Sequence, residues 1–260
     1  MSSNSRRERE TAKRQLANSS ATQTRSNVLL IAFIATVLGL IAWILIGSGD
    51  NNTAQPTPTP SPSVTPTLSL LDYCDEAPTP TMDPVQFEAA ADMKLNAPQL
   101  WTLETNCGEI EIELFTQKAP ITVNSMAFLT SENWLDNVVC HRLTTAGLFV
   151  IQCGDPTATG TGGPGYSIPE ENLPEAETNN YPKGTVAMAR TMEPGSGGSQ
   201  FFIVYDDTTL GADYTIFGQV TKGLEIIEDI AANGVFGGGT DGIPAQPIGF
   251  LNVSIEKKVN

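Results

Sequence analysis

The sequence predicts a mostly β domain, an antiparallel sheet closed into a barrel with two helices. Short β-rich runs follow one another from about residue 97 onward, and the first two and the last alternate with a period of two residues. Turn residues separate the first two runs, and only two segments of this region have helix signals, one a proline suited to a first helical turn and the other apolar residues at helical spacing. Many short strands with few helices are typical of closed antiparallel sheets. An uncharged apolar segment and a proline-rich stretch precede the domain.

The N-terminal part has the pattern of a membrane anchor. The first 26 residues carry six basic and two acidic side chains, a net charge of +4, whereas the whole chain carries −15. Residues 28–46 contain no charge, and a helix of this length spans roughly 28 Å, close to the roughly 30 Å of a bilayer's hydrocarbon core. Because cations are retained on the cytoplasmic side, we expect a cytoplasmic tail over residues 1–27 and a single transmembrane helix over residues 28–46. A cleaved signal peptide is the alternative, and the long apolar run and long charged leader speak against it.

The charge of the remaining chain excludes one class of partner. Since the tail contributes +4 to a total of −15, everything after it carries −19. A body this acidic repels nucleic acid and anionic lipid headgroups. We therefore expect no nucleic-acid partner. From the charge difference across the apolar segment we expect a protein of the cell membrane, with this domain on the extracytoplasmic side.

Residues 47–96 form a linker and an extension. Residues 53–67 read TAQPTPTPSPSVTPT, and proline at this density gives an extended spacer without a folded element. The following residues up to 96 are ambiguous from the pattern alone. Cys74 and the apolar positions in VQFEAAADM favour a segment that is pinned to the domain at residues 97–260.

The domain begins with a predicted hairpin and helix. WTLET and EIEIELF alternate with period two on either side of Asn106-Cys107-Gly108. Pro120 suits the first turn of a helix that continues through Thr130. Further strands are expected in VVCHRL, LFVIQC, GTVAMA, SQFFIVY and YTIFGQV. KGLEIIEDIAANG then has the apolar spacing of a second helix that ends at Gly234, and a last strand alternates over residues 251–255.

The cysteines predict disulfides. There are four, at positions 74, 107, 140 and 153, and all lie beyond the apolar segment, where disulfides persist. Cys140 and Cys153 fall on strands that flank one short loop, so they could pair and leave Cys74 for Cys107. Because Cys74 lies on a stretch that could reach any of the others, the three possible pairings stay open.

Several runs resemble the cyclophilins. GEIEIELF, KAPITVNSMAFL, HRL, IQCGDPTATGTGGPGY, GTVAMA, GSQFFI and TIFGQV occur in that family's order from Trp101 to the C-terminus. The resemblance implies an eight-stranded antiparallel barrel capped by two helices, with an X-Pro peptide in a groove on its face. It also implies peptidyl-prolyl cis/trans isomerase activity without a cofactor or metal, on proline-containing polypeptides. We expect a monomer.

The same resemblance assigns the site. Arg142 stands where the family has its catalytic arginine, and arginine suits that role because it stays charged and offers fixed planar donors. Nine further positions are implied to bind the substrate: Phe149 and Phe202 as pocket walls with Val150 beside the first, Gln152 and Gln200 on the peptide backbone, and Ala189, Arg190, Leu210 and Tyr214 along the groove.

The chain departs from the family pattern in several places. Two extra residues separate Arg142 from Phe149, so the loop between them has a different shape. Arg190 replaces an asparagine, and Tyr214 replaces a histidine. Thr209 replaces a tryptophan that contacts cyclosporin, which implies weak binding of that inhibitor.

Two other interpretations of the motifs are rejected. The run from Gly160 to Gly165 satisfies GxGxxG, but Pro164 lies inside it and no helical pattern follows, so it predicts a loop. His141 next to Cys140 does not form a catalytic pair, because adjacent side chains of a strand point to opposite faces.

Three functions are compatible with these residues. The first is an isomerase that helps exported proteins to fold on the outer side of the membrane. The second is a chaperone or scaffold module that binds proline peptides with little or no turnover. The third is a structural domain on a spacer. Arg142 together with the two glutamines and the two phenylalanines favours the isomerase.

Overall fold

The computed structural model describes residues 72–259, which form a mostly β domain with two helices. The predicted cytoplasmic tail, the predicted transmembrane helix and the proline-rich stretch lie outside the described residues. Neither helix within residues 72–259 has the length and apolarity needed to cross a membrane.

The strands form one antiparallel sheet in the order β8-β3-β4-β6-β5-β7-β2-β1-β9. Their bounds are β1 Gln99–Thr105, β2 Gly108–Leu114, β3 Arg142–Ala146, β4 Leu148–Cys153, β5 Thr185–Met188, β6 Phe201–Val204, β7 Ile216–Lys222, β8 Asp241–Gly242 and β9 Phe250–Lys257. Helix α1 covers Pro120–Ser131 and helix α2 covers Leu224–Asn233.

The local elements predicted from the sequence are confirmed. β1 and β2 form a hairpin whose last pair is Thr105 with Gly108. Helix α1 begins at Pro120, as proline in the first helical turn indicates. Helix α2 buries Ile227, Ile230 and Ala231 and ends at Gly234. Period-two alternation and helix-stop residues were therefore sufficient signals for these elements.

The predicted closed eight-stranded barrel is wrong in strand number and in closure. The sheet has nine strands, and the outer strands β8 and β9 do not pair with each other. Backbone hydrogen bonds span this gap instead, from Cys140 N to Ile248 O at 2.9 Å and from Phe250 N to Val138 O at 2.9 Å. The segment expected as strand VVCHRL thus pairs regularly only from Arg142 onward, and β8 is too short to produce a periodic pattern.

Residues 72–98 are attached to the domain at several points. The Cys74–Cys107 disulfide joins this segment to the β1–β2 hairpin. The Trp134 indole N–H donates to Val85 O at 2.7 Å. The Phe87 amide donates to Pro164 O at 2.7 Å, and its ring meets Phe128 edge to face at 4.9 Å. The extension is therefore part of the folded unit, as Cys74 and the apolar positions suggested.

The second disulfide joins Cys140 to Cys153. No free cysteine remains among the described residues, so the predicted disulfides are present, in the pairing that the strand positions favoured. Cys140 lies two residues before Arg142, and Cys153 directly follows Gln152. Since Arg142 and Gln152 are opposite each other in the β3–β4 ladder, this bridge fixes the strands beneath both side chains.

Candidate active site

A row of side chains crosses four adjacent strands on one face of the sheet. Arg142 of β3 is opposite Gln152 of β4, which is opposite Phe202 of β6, which is opposite Ala187 of β5. Directly opposed residues of neighbouring strands share a face. The ladder therefore brings the cation, an amide and an aromatic ring together, although they are far apart in sequence.

An apolar cluster lies beside this row. Its buried members are Val150, Tyr181, Ala187, Phe202 and Val204, and the partly buried members are Leu148, Ala189, Leu210, Tyr214 and Ile216. The rings of Phe202 and Tyr214 meet edge to face with centroids 5.5 Å apart. We call this cluster the groove floor. It contains Val150, Ala189, Phe202, Leu210 and Tyr214 of the predicted site, together with residues that the sequence had not indicated.

The two predicted glutamines form a connected pair. The Gln152 amide donates from Nε2 to Gln200 Oε1 at 2.8 Å. Gln200 Nε2 donates in turn to the backbone oxygens of Gly160 and Gly162, at 3.0 and 2.9 Å. The loop over residues 154–165 thus determines how Gln200, and through it Gln152, is oriented. The structure confirms that the GxGxxG run is a loop.

A buried aspartate orders this loop. Asp155 is fully buried and accepts hydrogen bonds from the Gly162 amide at 2.9 Å and the Thr157 amide at 2.8 Å. Burial would raise the pKa of Asp155, but these hydrogen bonds outweigh it and lower the pKa below its usual value. A Cβ at Gly162 would lie 2.0 Å from Asp155 Oδ1, so only glycine fits there. The Asp155 carboxylate therefore stays charged and holds the loop over residues 154–165 in this conformation.

Arg142 is held by a partner that the sequence did not indicate. Its Nε donates to Asp241 Oδ1 at 2.8 Å and its Nη2 donates to Asp241 Oδ2 at 2.7 Å. The pKa of Arg142 is raised above its usual value, chiefly by the hydrogen bond to Asp241. The guanidinium remains partly open to solvent, with 40% of the side chain exposed. Arg142 therefore presents a permanent cation at the edge of the groove floor.

Arg190 lies at another edge of the groove floor. Its Nε donates to the Asp213 backbone oxygen at 2.9 Å, and Glu170 Oε1 lies 3.6 Å from the same nitrogen. The guanidinium also lies over the Tyr214 ring, 5.8 Å from its centroid. The Arg190 guanidinium thus packs on the Tyr214 ring, a contact that the shorter, uncharged side chain of asparagine could not make in the same way.

Phe149 is not brought to the groove floor. Successive side chains of a strand point to opposite faces, and in β4 Leu148 and Val150 pack in the groove floor whereas Phe149 and Ile151 pack in the main core. The Phe149 ring packs against Tyr205 with centroids 6.0 Å apart and joins the main core cluster. The β3–β4 ladder extends to the pair Ala146 and Leu148, and Leu148, two residues before Val150, packs with it in the groove floor.

This register predicts opposite effects for two neighbouring substitutions. Leu148→Ala should weaken the affinity for a proline peptide by about tenfold, because a wall of the apolar pocket is lost. It should change the free energy of unfolding little. Phe149→Ala should instead lower the free energy of unfolding by about 2 kcal/mol, a half-buried version of a core truncation, with peptide affinity retained. Fluorescence titration and urea denaturation of both variants would check this, and reversed effects would contradict the register.

His141 is a partly buried side chain next to Arg142 in the chain. Neither of its ring nitrogens has a hydrogen-bond partner within residues 72–259. Burial lowers the pKa of His141 from the ordinary value of 6.5; Asp155 opposes this effect and Arg142 reinforces it. The ring is therefore held in its neutral form, and no proton-transfer role follows from its position.

A depressed histidine pKa predicts acid sensitivity. The unfolded chain binds a proton at His141 near pH 6.5 whereas the folded chain does not, so stability falls as the pH drops below about 6.5. We expect the free energy of unfolding to decrease between pH 7.5 and pH 5.5 by more in wild type than in His141→Gln. Urea denaturation at the two pH values measures this. An equal decrease in both proteins would show that other groups cause the loss.

Within residues 72–259, no group of three or more His, Cys, Asp and Glu side chains is placed to hold a metal ion. What the row offers is a fixed cation, amide donors and an apolar surface.

Comparison with known proteins shows which family the domain is similar to. A family model for cyclophilin type peptidyl-prolyl cis-trans isomerase/CLD matches residues 100–254. The probable peptidyl-prolyl cis-trans isomerase B of Mycobacterium leprae is 40% identical over 166 residues, which cover 60% of this chain and 56% of that protein. The protein of the same name from Mycobacterium tuberculosis is 36% identical over 205 residues, covering 74% of this chain and 66% of the relative. The chain thus spans between about half and two thirds of these relatives.

A solved structure has the same fold. The crystal structure of a Cryptosporidium parvum cyclophilin type peptidyl-prolyl cis-trans isomerase, determined in the presence of the dipeptide ala-pro, superposes with a TM-score of 0.52 at 28% sequence identity. The match covers 61% of this chain and 99% of that one. The family model covers more than half of this chain, and its range includes every residue of the row. The chain belongs to the cyclophilin-type peptidyl-prolyl cis-trans isomerase family.

Proposed function

We propose that this chain isomerises X-Pro peptide bonds in exported proteins and so assists their folding on the outer side of the membrane. The observation that carries the proposal is the position of the Arg142 guanidinium, two strands from Phe202 in one row at the edge of the groove floor. Family membership supports the reaction. The Cryptosporidium relative determined with ala-pro supports a proline peptide as the ligand.

The reaction requires no bond cleavage. Rotation about a peptide bond crosses a barrier of about 18–20 kcal/mol, because resonance gives the C–N bond partial double-bond character. A cation near the prolyl nitrogen or its carbonyl weakens that resonance, and a pocket that excludes water strengthens the effect. An acceleration of about 10⁵ requires roughly 7 kcal/mol of preference for the twisted state. A nucleophile and a general base are unnecessary.

The residues of the row and their neighbours would each have a separate part in the reaction. Arg142 would donate to the twisted peptide and stabilise its charge. Phe202 and Val150 would hold the proline ring, with Leu148 in the position expected for Phe149. Gln152 and Gln200 would bond the substrate backbone, and their mutual hydrogen bond fixes them before substrate arrives. A pre-oriented site of this kind loses little entropy at the moment of reaction.

The proposed location rests on charge and on the cysteines. The basic tail and the apolar segment at residues 28–46 favour a cytoplasmic N-terminus. Two disulfides in one domain are typical of oxidising compartments and rare in the cytosol. Protease added to intact spheroplasts should therefore digest the domain, and protection until lysis would contradict the topology.

A protease-coupled isomerisation assay tests the activity. The full chain in mild detergent should convert the cis isomer of an X-Pro tetrapeptide far faster than the uncatalysed tens to hundreds of seconds. Peptide binding without acceleration would favour the chaperone or scaffold alternative. Detergent alone is the blank, and a chain with both Gln152→Ala and Gln200→Ala serves as a folded variant with a damaged site.

A further inference from the structure

Asp241 lies on the same face as the row although it is 99 residues from Arg142. It belongs to β8, where it is opposite Thr144 of β3. Thr144 and Arg142 are two residues apart on β3, so their side chains share a face. Asp241 is therefore a diagonal neighbour of Arg142, within reach of a long side chain. The observed contacts at 2.8 and 2.7 Å use this geometry.

We propose that Asp241 is a positioning residue for the isomerisation, which fixes the plane and direction of the Arg142 guanidinium. This inference rests on the proposed function. A carboxylate that accepts from both Nε and Nη2 holds the guanidinium in a fork that a single hydrogen bond could not define. Arginine has five N–H donors, and the pair uses two of them on one edge. The three others remain for a peptide carbonyl or nitrogen.

The solvent exposure of the Arg142–Asp241 ion pair indicates that the pair contributes little to folding stability. The Arg142 side chain is 40% exposed and that of Asp241 is 55% exposed. Ion pairs open to water contribute little to folding, because solvent screens the attraction and two flexible side chains lose entropy. The remaining consequence of the contact is orientation.

The backbone around Asp241 holds its carboxylate in place. The Thr145 amide donates to Thr240 O at 2.9 Å, directly before Asp241. The chain reaches this strand through Gly237, Gly238 and Gly239, whose φ angles are +77°, +83° and +106°. Residues other than glycine rarely adopt such φ angles. The loop is thus shaped to deliver a short strand to the edge of β3, and Asp241 is the charged residue that it delivers.

A double-mutant cycle tests the assignment. Asp241→Ala should lower kcat of the full chain by about tenfold, since a misdirected catalytic group typically loses one to two orders of magnitude, with KM changed less than twofold. Asp241→Asn, which keeps one acceptor oxygen, should lose less. In an Arg142→Ala background, Asp241→Ala should have no further effect, because the residue acts only through the guanidinium. Melting temperatures of all variants confirm that folded proteins are compared.

A matched control and three contrary results complete the test. Glu109 forms an exposed ion pair with Lys222 at 2.6 Å, on a strand five places from β3 in the sheet; Glu109→Ala should leave kcat unchanged. An unchanged or increased kcat in Asp241→Ala would overturn the positioning role, as would a tenfold loss that persists in the Arg142→Ala background. An inactive wild type would instead contradict the proposed function, so the two failures are distinguishable.

Discussion

Replacing Arg142 by alanine is expected to slow the isomerisation by about 10²–10³-fold, the usual loss when one donor to a transition state is removed. The charge acts on the twisted peptide and not on the planar one, so kcat and kcat/KM should fall together while KM changes little. The domain should remain folded, because the lost ion pair with Asp241 is exposed to solvent and such pairs contribute about 0–1 kcal/mol.

The protease-coupled assay on the full chain measures this loss. Arg142→Lys is the informative companion, since lysine keeps the charge but lacks the planar fork that Asp241 holds; its rate should lie between those of wild type and Arg142→Ala. Lys222→Ala removes a cation on a distant strand and is the matched control. A folded Arg142→Ala variant with the wild-type rate would refute the catalytic assignment.

Removing the disulfides should have the largest effect on stability. The Cys74–Cys107 bridge closes a separation of 33 residues and the Cys140–Cys153 bridge one of 13. By the chain-entropy relation these loops correspond to about 4 and about 3 kcal/mol. Paired Cys→Ser substitutions should therefore lower the free energy of unfolding by roughly these amounts, in that order. The second pair should also lower the isomerisation rate, because it fixes the strands beneath Arg142 and Gln152.

Tryptophan fluorescence can separate loss of the extension from loss of the domain. Trp134 donates to Val85 O in the extension, whereas Trp101 is buried in the main core. The variant for this test lacks Cys74 and Cys107 and has Trp43 replaced by phenylalanine. In it, the Trp134 signal should change at a lower denaturant concentration than the Trp101 signal. Wild type with reductant is the control. Four labelled thiols after alkylation without reductant would refute the bridges and weaken the extracytoplasmic placement.

The sequence was informative wherever the signal is local or periodic. The β-rich run LFVIQC and the stop at Gly234 depend on a few neighbouring residues, and the structure has β4 and helix α2 there. The groove floor could be predicted only by resemblance, because a single sequence does not show that Val150, Phe202 and Tyr214 meet. The implied members of the groove other than Phe149 lie in or beside it. Their roles in binding remain predictions.

Two features of the site were beyond the sequence for physical reasons. Asp241 lies on a two-residue strand after three glycines, which has neither period two nor a strand-forming composition. Its contact with Arg142 depends on how β8 and β3 pair across 99 residues. The resemblance implies a pocket wall at Phe149, but the motif does not show which face of β4 this ring takes, and in the structure it packs against Tyr205; its role in binding stays a prediction.

The Cys74–Cys107 bridge also determines how the domain carries mechanical load. A pull on the chain ahead of Cys74 enters through the sulfur–sulfur bond and reaches the sheet at the β1–β2 turn. The chain between the two cysteines consists of the extension and strand β1, and the extension as far as Gln99 bears no tension while the bridge is intact. Reduction would place the extension in series with the pulled end, and it could then peel from the domain at Val85 and Phe87 under force. The slack released up to the start of β1 amounts to about 80 Å of extended chain, roughly twice the diameter of the domain itself.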